Sequence, residues 1–208
     1  MIDMERRDDI DIAKGIGIIL VVWAHAHGPA TNFITQFHMP FFFFISGMLY
    51  SSENCSGKEY IIHKSKSLLL PFWWWNLFFY LLYFVLFYWG KWSAFVFGKE
   101  IIDIFLTVEK VPFLGATWFL TALFQVSVII HLAIRGFRKN KYGDFALLGM
   151  GATVCALGFA IDFPHRISRT MVCSFFYISG YLYNKIYGLV WEKGQKLSGH
   201  SQEGFSLS

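Results

Sequence analysis

Apolar residues in this chain come in long blocks rather than in alternation with polar ones. Bounded by charged and turn residues, the blocks run over 10–28, 33–50, 68–89, 116–134, 145–161 and 170–190. A helix needs about 20 such residues to cross the hydrocarbon core of a bilayer. The third block is the clearest, with Asn76 its only strongly polar residue. It lacks the polar stripe that a helix on a soluble surface carries. The pattern therefore predicts an all-α, polytopic membrane helix bundle of about six transmembrane helices. The first block has a short apolar centre, and the last contains Lys185, whose ammonium must snorkel to the interface. No internal repeat or low-complexity linker stands out along the chain. A membrane domain is expected over 10–190, followed by a polar, mobile cytoplasmic tail over 191–208.

Composition sharpens this picture. Of 208 residues, 55% are hydrophobic and 20% aromatic, but only 15% are charged. A soluble domain carries about 25% charged residues, so the polar material for a water-facing shell is missing. The net charge of +4 is modest and its basic residues are dispersed, which argues against nucleic acid as a partner. Cys55, Cys155 and Cys173 form no CxxC pair and no metal-ligand spacing. Their odd number and positions argue against a disulfide. No Gly-rich phosphate loop or H-E-x-x-H pattern occurs, so no metal site is expected.

Charge also sets direction. With the N-terminus inside, Arg6, Arg7, Lys14, Lys58, Lys64, Lys66, Arg135, Arg138, Lys139, Lys141, Lys185, Lys193 and Lys196 fall on the inner side. Only Lys91, Lys99, Lys110, Arg166 and Arg169 fall outside. Basic residues are retained in the cytoplasm, so both termini are expected there. Trp73, Trp74 and Trp75 then mark the inner end of the third span, and Trp89 and Trp92 its outer end. Arg6 and Arg7, the run 15–23 and Ala24-His25-Ala26 imitate a signal peptide. Asp8, Asp9 and Asp11 crowd its positive zone, so a retained first helix is expected. Ala152, Ala156 and Ala160 give the fifth span a small face for helix contact. The segment 91–115, with Ile101, Ile102, Ile104 and Phe105, reads as an interfacial helix.

Ionisable residues inside a span are costly and point to function. Ten residues separate Lys14 from His25. Eleven steps of about 100° return the helix nearly to the same face, about 16 Å further along. Asp11 lies one turn before Lys14 and is placed to pair with it. Two readings stand on this spacing. Lys14 snorkels and His25 caps the outer boundary, or the pair is functional, with the imidazole as a general base for acyl transfer. His38 precedes Met39 and Pro40 at the start of the second span, where proline is tolerated. An interfacial position accounts for it. Ser46-Gly47 suits a helix contact, and Gln125 and His131 can hydrogen-bond to neighbours. Lys64 and Lys66 precede Pro71 at an inner interface, where topology alone explains them, although an anionic nucleotide or headgroup would also suit them.

The stretch DIAKGIGIILVVWAHA, Asp11 to Ala26, resembles the opening of the acyltransferase 3 family of membrane-bound O-acyltransferases, whose members carry Arg or Lys, ten residues, then His. The resemblance continues in FHMPFFFFISGMLY (Phe37 to Tyr50), KSKSLLLPFWWW (Lys64 to Trp75), ATWFLTALF (Ala116 to Phe124) and FFYISGYLYNK (Phe175 to Lys185). It implies a bacterial inner-membrane enzyme that moves an acyl group, usually acetyl, from cytoplasmic acyl-CoA to a hydroxyl of a surface polysaccharide or lipid-linked glycan. By the same resemblance His25 is the catalytic base, and Lys14 replaces the usual Arg in orienting the donor, without its bidentate fork. Lys64 and Lys66 assist in donor binding, while Asp11, His38, Ser46 and Trp118 support the site. No bound cofactor is implied; acyl-CoA is a substrate. Members of the family continue through further membrane helices, so the chain is expected to be C-terminally truncated. It would then need a complementing subunit, or be an inactive or non-catalytic membrane protein.

Overall fold

The computed structural model describes residues 8–26, 28–52, 54–88, 118–163 and 167–203. Among the described residues every regular element is helical. These are α1 (Asp8–His25), α2 (Thr31–Met48), α3 (Gly57–Lys64), a π-helical turn (Ser65–Leu69), α4 (Leu70–Tyr88), α5 (Trp118–Phe137), α6 (Gly143–Ala160) and α7 (Ile167–Glu203). Each apolar block thus becomes a helix with ends shifted by a few residues. α7 runs further than expected, continuing through most of the polar segment to Glu203. That segment holds no proline to stop a helix already under way. The segment 91–115, Trp89, Trp92 and the outer basic residues Lys91, Lys99, Lys110 and Arg166 lie outside the described residues. The helices group into two compact units, Met1–Ser51 with Phe176–Ser208, and Ser52–Phe175.

In the first unit α1 and α2 form a packed hairpin. The buried line of α1 is Ile10, Gly17 and Ala24, spaced by seven, so these residues stack on nearly one face. A Cβ at Gly17 would lie 2.9 Å from the rings of Phe41 and Phe42, so glycine lets those rings seat against the helix. Ile12, Ile16, Ile19 and Trp23 line the opposite, exposed face. The turn is held by the Trp23 indole, which donates to the Pro29 carbonyl at 3.0 Å. Its last residue, Ala30, is left-handed (φ 63°) and precedes α2. Because α2 begins at Thr31, Pro40 is interior rather than in the first turn as expected. It withholds an N–H from the Gln36 carbonyl, on the exposed side of the helix.

The closest approach in this unit joins α2 to α7. A Cβ at Gly47 would sit 2.0 Å from the Tyr177 carbonyl oxygen and 3.0 Å from the Tyr181 nitrogen. A Cβ at Gly180 would sit 2.0 Å from the Phe44 carbonyl oxygen and 3.0 Å from the Met48 nitrogen. The two sets of contacts are the same under exchange of the helices. The sequences explain why. FFFISGMLY (42–50) and FFYISGYLY (175–183) differ at only two of nine positions. The chain therefore does contain a short internal repeat, and its two copies meet glycine to glycine about a local pseudo-dyad. Tyr50 closes edge-on against Tyr181, with ring centroids 5.4 Å apart.

In the second unit one continuous helical rod runs from α3 through the π turn into α4. Ser56 and Glu59 start it with a reciprocal capping box. The π turn falls just before Pro71, whose ring crowds the carbonyl four residues back. Widening of the turn accommodates it. Among the described side chains α4 buries the row Phe72, Asn76 and Tyr80, and the Asn76 amide donates to the Phe72 carbonyl at 2.7 Å. Around that row Trp73, Trp74, Trp75, Phe78, Leu82 and Leu86 are exposed. Such a surface is stable against lipid tails and unstable against water. α6 buries Gly143, Leu147 and Gly151, and Gly158 lets α7 approach, with the Ser168 carbonyl 2.8 Å from where a Cβ would stand. The expected contact row Ala152, Ala156 and Ala160 is exposed instead. Glycine admits a closer neighbour than alanine does, and the packed row of Gly143, Leu147 and Gly151 lies on nearly the opposite side of α6 from the alanines. α5 and α6 are each long and apolar enough to cross a membrane. α1 is held back on this measure by Asp8, Asp9, Asp11 and Lys14, and α2 by Asn32, Gln36 and His38.

Candidate active site

Lys14 and His25 lie on one uninterrupted helix, α1, which is the condition their spacing requires. Taking Ile10, Gly17 and Ala24 as the packed line, Lys14 falls about 50° and His25 about 100° to the same side of it. Lys14 therefore lies at the edge of the face that α1 turns to α2, and His25 flanks that face at the helix end. Lys14 is half-buried, and its ammonium lies 3.4 Å from the Asp11 carboxylate. An exposed ion pair of this kind adds no more than about 1 kcal/mol, so its effect is to bias the lysine's direction.

His25 is the last residue of α1 and is exposed. Its Nδ1 is 2.8 Å from the Val21 carbonyl oxygen. A carbonyl only accepts, so in the neutral ring the proton resides on Nδ1 and the lone pair on Nε2. The backbone thus selects the tautomer that leaves Nε2 ready to take a proton. The adjoining turn fixes the helix end: Gly28 packs on the Trp23 indole, and the Thr31 hydroxyl donates to the Gly28 carbonyl at 2.5 Å.

His38 repeats the arrangement on α2, with Nδ1 2.8 Å from the Ile34 carbonyl oxygen. It is buried, with 3% of its surface exposed. Since Gly17 faces Phe41 and Phe42 and the chain reverses between the helices, His38 sits level with Leu20. That is about 7 Å along the axis from His25. Ser46 is half-buried beside the glycine crossing. The first unit therefore gathers Asp11, Lys14, His25, His38 and Ser46.

Lys64, Lys66 and Trp118 belong to the second unit. Lys64 ends α3, is half-buried, and holds its ammonium 5.6 Å from the centroid of the Tyr60 ring. Burial pushes its pKa below the usual lysine value. Lys66, on the π turn, is exposed. Trp118 is buried at the start of α5. Beside Lys64 is a feature the sequence did not announce: the His131 ring of α5 stacks on Tyr60, centroids 4.0 Å apart and planes 7° from parallel. Gln125, weighed with His131, is exposed. The signal available for His131 was its place four residues after Ser127, which makes a polar row on an apolar helix. Nothing in the sequence marked Tyr60 as its partner. Among the described residues no group of three or more His, Cys, Asp or Glu is arranged to hold a metal ion.

No curated protein and no solved structure matches the chain. A family described as an acyltransferase domain, acyltransferase 3, matches residues 7–161. That span includes α1 through α6 and well over half of the sequence, and it ends before the second copy of the FFxISGxLY repeat. With Lys14, His25, Lys64 and Lys66 all inside the matched region, the chain belongs to the acyltransferase 3 family.

Proposed function

We propose that the chain carries out O-acyl transfer in a bacterial inner membrane, moving an acetyl group from acetyl-CoA to a hydroxyl of a surface or lipid-linked glycan. The observation that carries this reading is the Nδ1 hydrogen bond of His25 to the Val21 carbonyl, which leaves Nε2 as a base on the face shared with Lys14. The acceptor hydroxyl gives its proton to Nε2 as its oxygen attacks the thioester carbonyl. The C–S bond then breaks, and the CoA thiolate leaves with the proton returned from the imidazolium. Six membrane crossings with cytoplasmic termini put Lys14 on the donor side and His25 toward the outer side. The flexible pantetheine arm is the part of the donor suited to bridge that distance. Lys14, Lys64 and Lys66 supply positive charge for the donor's phosphates, His38 lines the hairpin toward the base, Ser46 lies toward its Lys14 end, and Trp118 anchors α5. Exposed apolar surface on α1 and α4 supports the membrane setting.

The experiment is complementation. A strain deleted for this gene is given back the wild-type chain or His25→Ala, and ester-linked acetyl on its surface glycans is measured by mass. The wild type restores the modification and His25→Ala does not. Equal restoration by both removes His25 from the chemistry.

A further inference from the structure

Of the lysines expected to meet the donor, Lys64 and Lys66 are not equivalent, and the reason lies in a pair of aromatic rings. Tyr60 and His131 come from different helices, α3 and α5, and are among the most enclosed residues of the second unit, at 2% and 0% exposure. Their rings lie parallel at 4.0 Å. The imidazole covers one face of the phenol ring, and the Lys64 ammonium stands over that ring at 5.6 Å. An ammonium over an aromatic face is attracted by the ring quadrupole. Lys66, two residues on, is exposed.

Neighbouring groups hold α3 against α5 so that this stack persists. The Arg135 guanidinium donates to the Cys55 carbonyl just before α3. Leu132 packs against Gly57, where a Cβ would approach it to 3.3 Å. The capping box of Ser56 and Glu59 fixes the first turn, with bonds of 3.0 and 3.2 Å. Beyond Lys64 the π turn begins, so the lysine stands where the helical register changes.

We infer that Tyr60 and His131 are positioning residues: the stacked pair holds the Lys64 ammonium in one place, prepared for an anionic group of the acyl-CoA donor. This rests on the reading of Lys64 as a donor-binding residue. A lysine held in place loses less conformational entropy on binding than one that must first be ordered. Partial desolvation strengthens its attraction for a phosphate. Lys66 contributes charge without that preparation.

The test uses the full chain in nanodiscs, with two readouts. The first is steady-state acetyl transfer as a function of acetyl-CoA concentration. Tyr60→Leu and His131→Ala raise the donor KM by roughly threefold to tenfold, the range a cation–π contact supplies, with the change confined to KM. Tyr60→Phe and His131→Phe keep the rings and bring KM back to the wild-type value. The second readout needs no turnover: the rate of reductive methylation of Lys64 relative to Lys66, by peptide mass spectrometry. Lys64 reacts more slowly than Lys66 in the wild type. Tyr60→Leu speeds Lys64 by threefold or more, and Tyr60→Phe does not. If transfer is absent but the methylation pattern is as described, positioning of Lys64 stands and the acyltransferase reading fails. If transfer occurs and neither KM nor Lys64 methylation responds to Tyr60→Leu or His131→Ala, the inference is overturned.

Discussion

Replacing Gly47 by alanine is the sharpest structural perturbation this fold offers. The new methyl would lie 2.0 Å from the Tyr177 carbonyl oxygen and 2.9 Å from its carbon. Carbon and oxygen in ordinary contact stand about 3.3 to 3.6 Å apart, so α2 and α7 must separate by more than about 1 Å. No flexible side-chain end can yield, because the obstacle is backbone. Overpacking of a tight contact costs about 1–3 kcal/mol and sometimes more, and this site belongs at the upper end, near 3. The better helix propensity of alanine returns up to about 1 kcal/mol, for a net loss of about 2 kcal/mol. Gly15 and Gly149 are the controls, since a Cβ there meets nothing within 4 Å. Alanine at either should stabilise by up to about 1 kcal/mol. Gly180→Ala should match Gly47→Ala, and because each separates the same helices, the double variant should cost less than the sum. The assay is reversible unfolding in mixed micelles, titrated with sodium dodecyl sulfate. A Gly47→Ala chain as stable as Gly149→Ala would refute the glycine crossing.

Three further outcomes follow from other parts of the molecule. Ala30→Gly should stabilise by about 1 kcal/mol in the same unfolding assay, because an L-residue in the left-handed region costs about 1–2 kcal/mol that glycine avoids; a loss of stability would argue against that turn. Glu59 is held below the usual carboxylate range, first by the Ser56 backbone N–H and then by its hydroxyl. The unfolded chain therefore binds the proton more tightly, so the cap is fully effective above about pH 5 and weakens as pH falls through the lower folded value. Amide protection across 57–64, taken relative to the intrinsic exchange rate at each pH, should fall on acidification in the wild type and fall less in Glu59→Gln; an identical pH response in both would contradict the cap. Ser56→Ala should cost about 1 kcal/mol in the unfolding assay, and no change would show that the capping box contributes nothing.

Much of the helical architecture was legible because apolar runs as long as the third block have few alternatives. Asn76 illustrates a detail that local chemistry settles, since a lone amide on an apolar helix turns to the carbonyl one turn back. The Lys14–His25 alignment was readable from residue counting, but the tautomer of His25 was not, because it depends on the carbonyl of Val21 being within reach at the helix end. Contacts between helices were harder. Ala152, Ala156 and Ala160 looked like a packing face, while Gly143, Gly151 and Gly158, on nearly the opposite side of the helix, do the packing. Pro40 looked like a helix opener because Asn32, Gln36 and His38 dilute the apolar signal before it. The FFxISGxLY repeat was present in the letters, and only the meeting of Gly47 with Gly180 gave it a meaning. The Tyr60–His131 stack depends on residues 71 positions apart, and no local pattern encodes such a pairing.

The measurement that bears most directly on the central claim is acyl transfer by the purified chain in proteoliposomes. Acetyl-labelled acetyl-CoA and a glycan acceptor are supplied, and alkali-labile acetyl ester on the glycan is counted. The account predicts saturable transfer by the wild type and a fall of roughly 10²-fold or more in kcat for His25→Ala, the scale of a lost general base. Transfer at equal rates by both chains would contradict it.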